Sequence, residues 1–181
     1  MRILRASDHR QMPWKNGGGV TTEIAISPPG AMVGDFDWRV SMAKVPNSGP
    51  FSSFANIDRV LAILEGEMRL AIDGAEAQLM DPSSPALAFP ADVPTSAEVI
   101  REVTDLNVMV RRGRFSASVR RLDKAEIIAN ADETLVLFRE DAEVKNGEKF
   151  ELDDVIHLTP PEVITLGSIP QTAWLIEIQS I

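Results

Sequence analysis

In the stretch MPWKNGGGVTTEI, Met12 to Ile24, a tryptophan, a lysine and an asparagine stand directly before three consecutive glycines. Trp14 offers a flat aromatic wall, Lys15 a cation and Asn16 a carboxamide, and the run ending at Gly19 adds unhindered backbone N–H groups. Successive glycines can alternate handedness and turn those N–H groups inward as an anion-binding nest. The same residues also fit an ordinary loop between two strands. Arg39, Arg59 and Arg111 extend the anion reading, since each sits in an apolar strand pattern where a solvated lysine would be the surface choice. An arginine fork holds a carboxylate through two parallel charge-assisted hydrogen bonds, each contributing about 1.5–3 kcal/mol. Two or three such bonds, with Trp14 or Trp38 covering an apolar stem, reach micromolar affinity, about −8 kcal/mol. Asn16 or Asn107 could bond a neutral formyl or amide group. The competing reading pairs each arginine within the chain, with Asp37, Asp58 or Asp105.

Other chemistries find less support. His9 and His157 are the two histidines, far apart and on unlike segments, and there is no cysteine. With no HxH, HExxH or clustered-carboxylate motif, no metal site and no cofactor are expected. His157, within DVIHLT, reads as a satisfied strand histidine. No GxSxG elbow or triad context is present, and tyrosine is absent. Acid–base work would fall to Glu, Asp or Lys, with Glu23, Glu65 and Asp92 the candidates by placement.

Composition sets wider bounds. The 181 residues carry a formal net charge of −9, and 44% of them are hydrophobic. That is enough apolar material for a substantial core and argues against disorder throughout. Nucleic-acid binding relies on basic patches; the one dense basic cluster is RRGR, Arg111 to Arg114, followed by Arg120 and Arg121, so no direct nucleic-acid contact is expected. No apolar run approaches the roughly 20 residues of a membrane helix. The first residues, MRILRASDHRQ, lack an apolar core of signal-peptide length. A cytoplasmic protein with no membrane partner is expected.

Period-2 patterns dominate the chain. FDWRVSMAKV alternates Phe36, Trp38, Val40 and Met42 against Asp37, Arg39, Ser41 and Ala43. RVLAILE reads as a strand buried on both faces. LNVMVRR places Asn107, Met109 and Arg111 on one face, and ETLVLFRE, DDVIHLT and TAWLIEIQ continue the series. Turn signals separate them: SPPG, PNSG, EGE, DGA, DPSSP, KNGE and TPPE. No segment sustains a helical period, although short helical turns fit Ser7–Gln11 and Phe51–Phe54. The expectation is an all-β chain of many short strands, a sandwich or barrel. Its division near Gly113 would give an N-terminal jelly roll over 1–113 with the candidate pocket and a compact second half over 114–181, packed on the first.

Taken together, PWKNGGGVTTEI, FDWRVSMAKV, GPFSSFANIDRVLAILEGEMRL, AFPAD and DLNVMVRR resemble the HutD/Ves family, close to HutD of bacterial histidine utilization. The resemblance covers roughly residues 12–112 in family order and is diffuse beyond. It implies cupin-type jelly-roll barrels in a bicupin arrangement, without the usual cupin metal ligands. It also implies binding of a small carboxylate of histidine catabolism, such as formylglutamate, urocanate or formate, and restraint of operon output; the Ves branch is linked instead to cold and environmental stress. The motif positions carried over are Trp14, Lys15, Asn16, Gly19, Thr21, Glu23, Trp38, Arg39, Ser41, Phe51, Ser52, Arg59, Glu65, Gly66, Asp92, Asn107 and Arg111. The leading reading is a metal-independent, carboxylate-binding regulatory protein, with Trp14, Lys15, Asn16, Gly19, Trp38, Arg39, Arg59, Asn107 and Arg111 as ligand-binding residues. A metal-free enzyme of a small acid, using Glu23 or Glu65, is the second. A structural or partner-binding module contacting an acidic protein through the 111–121 strip is the third. A homodimer is compatible with all three.

Overall fold

The computed structural model describes residues 1–14 and 17–181. Lys15 and Asn16 lie outside the described residues. The chain is all-β, with one 3-10 turn at Ala6–Asp8 and no helix at 51–54. Its strands are β1 (Arg2–Leu4), β2 (Arg10–Pro13), β3 (Val20–Ser27), β4 (Trp38–Val45), β5 (Gly49–Pro50), β6 (Ile57–Ile72), β7 (Gln78–Met80), β8 (Leu87–Pro90) and β9 (Thr95–Arg111). They continue with β10 (Phe115–Arg121), β11 (Glu126–Ile128), β12 (Glu133–Leu137), β13 (Ala142–Glu143), β14 (Lys149–Phe150), β15 (Val155–Leu158), β16 (Val163–Thr165) and β17 (Trp174–Ser180). No described helix is long and apolar enough to cross a membrane.

Two compact units result. Arg10–Phe115 form one, and Met1–His9 with Ser116–Ile181 form the other. The division expected at 113 falls close to this join, but the first nine residues group with the C-terminal unit rather than with 1–113. The cause is local: β1 pairs antiparallel with β15, and the buried Asp154 accepts hydrogen bonds from the Ala6 N–H and from Arg5, each 2.8 Å.

The N-terminal unit is built on a sheet in the order β2-β3-β4-β9-β6-β7, with β5 on β9 and β8 on β6. Among the described strands no ladder joins β7 back to β2, so they form no closed sheet. The bend of β6 has an identifiable origin. Its register against β9 shifts between Ile63 and Met68, and Gly66 in that interval has φ +84°. A Cβ there would stand 2.0 Å from the Glu102 carbonyl oxygen, so only glycine fits. Both faces of β6 are buried from Arg59 to Leu64, as an unbroken apolar run requires. Among the described residues, the unit holds the following apolar clusters. One holds Leu61, Ile63, Met68, Leu70 and Phe89, with Trp14 and Phe51 packed on it; another holds Phe36, Ile57, Ala91 and Met109, with Phe54 beside it.

The C-terminal unit has the five-stranded sheet β1-β15-β12-β17-β10 and the small ladders β11-β16 and β13-β14. Its core includes Val136, Phe138, Phe150, Ile156, Leu158 and Leu166.

Candidate functional site

Strand pairing fixes which side chains of the N-terminal unit share a face. Residues directly opposite one another in adjacent strands point the same way, and alternate residues along a strand do too. Arg59 lies opposite Met109, which lies opposite Arg39. One rung along the sheet, Leu61, Asn107, Ser41 and Glu23 are in line. On the next rung are Ile63, Asp105, Ala43 and Thr21. The face that holds the apolar interior of the unit therefore also carries two arginines, two carboxylates, an asparagine and a serine. Arg39, Ser41, Arg59, Asp105 and Asn107 are all buried.

Burying charge in an apolar interior is costly unless each charge is matched, and the members of this cluster are matched unequally. Arg39 gives its Nε–H to Glu23 Oε2 at 2.7 Å, a nearly buried pair. Arg59 is 5% exposed and gives one Nη2 bond, 3.2 Å long, to the Ser52 carbonyl oxygen. Its guanidinium lies 5.1 Å from the Phe51 ring centre and 5.8 Å from those of Phe54 and Phe89, a cation–π enclosure. Arg59 Nε has no hydrogen-bond partner in the protein, and neither has Asn107 Oδ1. Burial lowers the Arg59 pKa to about 10, with Asp105 pulling it up and Arg39 pushing it down. It remains a cation at neutral pH.

Asp105 is 1% exposed. Burial raises its carboxyl to about 7, against the attraction of Arg59 and the hydrogen bonds from the Ala43 N–H and the Asn107 amide. The Asn107 Nδ2 lies 2.5 Å from Asp105 Oδ1. The sequence reading weighed Asp105 only as an internal partner for an arginine. It sits two residues before Asn107 and so on the same strand face, which was the signal for its place in the site.

The other expected site residues are dispersed. Trp38 is buried, but it alternates with Arg39 and so belongs to the opposite face of the sheet. Arg111 gives Nη2 bonds to the Gly34 and Phe36 carbonyl oxygens, closing a loop outside the cluster. Glu65 is exposed at the β6 irregularity, where its Oε2 accepts from the Thr104 hydroxyl at 3.5 Å. Of the three expected acid–base candidates, Glu23, Glu65 and Asp92, Glu23 alone reaches the cluster. Asp92 is held in the fork of Arg112, which drops its carboxyl to about 2. Arg114 pairs with Asp37 and Arg120 with Asp123, and Arg121 stacks 4.1 Å over the Trp174 ring, so the arginine strip is largely engaged by the chain itself.

The glycine-rich turn joins β2 to β3. Trp14 N–H donates to the Gly19 carbonyl oxygen and Gly17 N–H to that of Trp14, each 2.9 Å. The Trp14 ring N–H is taken by the Thr21 hydroxyl at 2.8 Å. A Cβ on Gly19 would stand 2.4 Å from the Lys44 carbonyl oxygen and 2.9 Å from the Trp14 ring. Glycine is thus required there for close packing of the turn and its tryptophan against β4. The parts of the nest reading that use Lys15 and Asn16 lie outside the described residues. Among the described residues no group of three His, Asp or Glu is placed to hold a metal ion.

The chain matches HutD over residues 6–175. It belongs to the HutD family. It is 33% identical over 147 residues to an uncharacterized 21.2 kDa protein in the hutC 3′ region of Pseudomonas putida, covering 80% of this chain and 76% of that one. Against the protein Ves of Cronobacter sakazakii it is 37% identical over 123 residues, 65% of this chain and 66% of that protein. The structure of HutD from Pseudomonas fluorescens SBW25, in a formate condition, superposes with a TM-score of 0.84 at 30% identity, covering 99% and 98% of the two chains. A cupin 2 conserved barrel domain protein from Leptotrichia buccalis superposes at 0.57 with 9% identity over 95% and 96%, a likeness of fold alone that makes this HutD-family chain cupin-like.

Proposed function

We propose that this HutD-family chain is a metal-independent receptor for a small carboxylate of histidine catabolism, and that occupancy of its N-terminal unit regulates use of that pathway in the cytoplasm. The observation that carries the reading is the state of Arg59: a buried, aromatic-lined cation whose Nε–H has no acceptor in the protein. Asn107 Oδ1, similarly unpartnered, stands diagonal to it on the same face. Buried polar groups left without partners are unusual in folded proteins. A carboxylate against Arg59 would complete the first, and a neutral formyl or amide group of the ligand would meet the Asn107 carboxamide. Two charge-assisted bonds of about 1.5–3 kcal/mol each, added to apolar contact with Phe51 and Phe89, are enough for micromolar binding. Membership of the HutD family, and similarity to a protein in the hutC 3′ region, support the histidine-pathway context. A bicupin arrangement of the two units belongs to the same proposal.

Titration calorimetry against formylglutamate, urocanate, glutamate and formate tests it. Heat of binding with at least one is expected from wild type, and loss of that heat from a folded Arg59→Met variant. Silence from wild type with all of them would end the reading. A second reading, an enzyme acting on a small acid, is favoured by one observation: a buried carboxyl held near neutrality, at Asp105 rather than at Glu23 or Glu65. Turnover that disappears in Asp105→Asn would establish that reading, and binding without turnover would leave the receptor.

A further inference from the structure

Resting on the receptor reading, we propose that Asp105 carries a proton and donates it in a hydrogen bond to Asn107 Oδ1, turning the Asn107 amide N–H groups with Arg59 Nε toward the bound carboxylate, so that carboxylate capture takes up a proton. The geometry points this way first. A separation of 2.5 Å between the Asn107 and Asp105 side chains is short for an N–H···O bond, about 2.7–3.2 Å, and ordinary for an O–H···O bond, about 2.5–3.0 Å. A half-turn of the carboxamide exchanges its oxygen and nitrogen with no change of shape. It puts Asn107 Oδ1 against a protonated Asp105 and removes an orphaned acceptor. The nitrogen then points where that oxygen did, and the site presents donors only, Asn107 Nδ2 and Arg59 Nε, as an anion requires.

The charges around Asp105 agree. The ionisable groups on this face, among the described residues, are Arg59 from β6, Arg39 from β4, Glu23 from β3, Arg111 farther along β9 and Arg10 at the β2 edge; Glu23 is bound to Arg39, Arg111 to the Gly34 and Phe36 carbonyl oxygens, and Arg10 is exposed. With Asp105 ionised the charges of the buried cluster, Arg59, Arg39, Glu23 and Asp105, cancel. With Asp105 neutral the cluster carries one net positive charge, matched to a monoanion. The free carboxyl titrates near neutrality, so linkage operates at physiological pH. A bound anion repels the ionised form and holds the proton on.

Calorimetry with sodium formate from about pH 6 to about pH 9, in buffer pairs of unlike ionisation heat, measures the linkage. Formate stays ionised throughout, so any proton taken up belongs to the protein. The expected result is constant affinity below about pH 7, a fall of about tenfold per pH unit above it, and uptake approaching one proton per site at the alkaline end. Asp105→Asn, a neutral isostere, should give an affinity that does not change with pH. Formate binding with no proton uptake overturns the inference and leaves the receptor reading standing. Loss of binding in a folded Asp105→Asn chain also overturns it, because the negative charge would then be needed. Absence of formate binding at every pH overturns the linkage and leaves the receptor reading to formylglutamate, urocanate and glutamate. The protonation itself is then decided by carbon-13 titration of the ligand-free chain, in which an Asp105 midpoint in the ordinary carboxylate range refutes it.

Discussion

Arg59 and Asp105 are the residues on which the site turns, and their environments oppose their charges in the same way. Arg59→Lys keeps a cation but loses the planar fork and its stacking on Phe51, Phe54 and Phe89. It should weaken carboxylate binding about tenfold to hundredfold, roughly one charge-assisted hydrogen bond; equal affinity by calorimetry would show that the fork is not used. Asp105 has a separate signature in stability. Its folded carboxyl titrates at about 7, against 3.8 for a free aspartate side chain. The folded state therefore holds a proton that the unfolded state releases between these values. Its contribution to stability is fully present below about pH 4, declines as pH rises to about 7, and is level beyond, a difference on the order of 4 kcal/mol. Urea midpoints at about pH 5 and pH 8 should differ in wild type and draw together in Asp105→Asn. A wild-type midpoint that holds constant would refute the shift. The sequence made Arg59 and Asn107 legible because an arginine or asparagine inside an apolar alternation is conspicuous. It left Asp105 as a neutraliser, because strand alternation gives the shared face but not the burial that keeps the carboxyl from ionising. Trp38 was misplaced for the converse reason: an aromatic next to Arg39 in sequence is on the far side of the sheet.

At the level of elements, the long paired strands β6 and β9 carry the site, and the irregularity at Glu65–Glu67 shapes β6. Gly66 combines a positive φ with a backbone carbonyl 2.0 Å from the position of an added Cβ. Gly66→Ala would need the β9 backbone at Glu102 to shift, and should cost about 3 kcal/mol or more, the conformational strain and the displaced pairing adding. Gly19→Ala meets the Lys44 carbonyl oxygen at 2.4 Å but at the end of a hairpin, where the turn can move. The expected order, Gly66→Ala below Gly19→Ala below wild type in melting temperature, is read by thermal denaturation, and the reverse order would show that the bend tolerates a side chain. The strand class of these segments was open to reading because β-branched and apolar residues alternate or run unbroken between turn signals. The irregularity was not, since EGE specifies a turn as readily as a bulge. What decides between them is pairing with residues about 40 positions away, Ile63 with Asp105 and Glu67 with Arg101.

For the whole molecule, the departure from the expected division is the placement of Met1–His9 in the C-terminal unit. Sequence continuity assigns those residues to the strands that follow them; pairing assigns them to β15, some 150 positions away. Nothing local in RILRASDH announces that partner, because the decisive group is a single carboxylate, Asp154, far along the chain. Asp154 is 4% exposed. Burial pushes its carboxyl up, but the Ala6 N–H, the Arg5 guanidinium and the Glu151 N–H outweigh that and hold it below the usual range. It thus contributes stability that is present at neutral pH and lost as pH falls through its folded value. Asp154→Asn keeps the shape and removes the charge, weakening a bond to an ionised partner worth about 1.5–3 kcal/mol. Hydrogen exchange should then quicken at Ile3 and across Val155–Leu158, the two sides of the β1–β15 ladder. A chain beginning at Arg10 should show the same gain in β15 more strongly, since the whole edge strand is gone. Unaltered protection of Val155–Leu158 in both variants would mean that the N-terminal strand is an ornament on the C-terminal unit and not part of what holds it together.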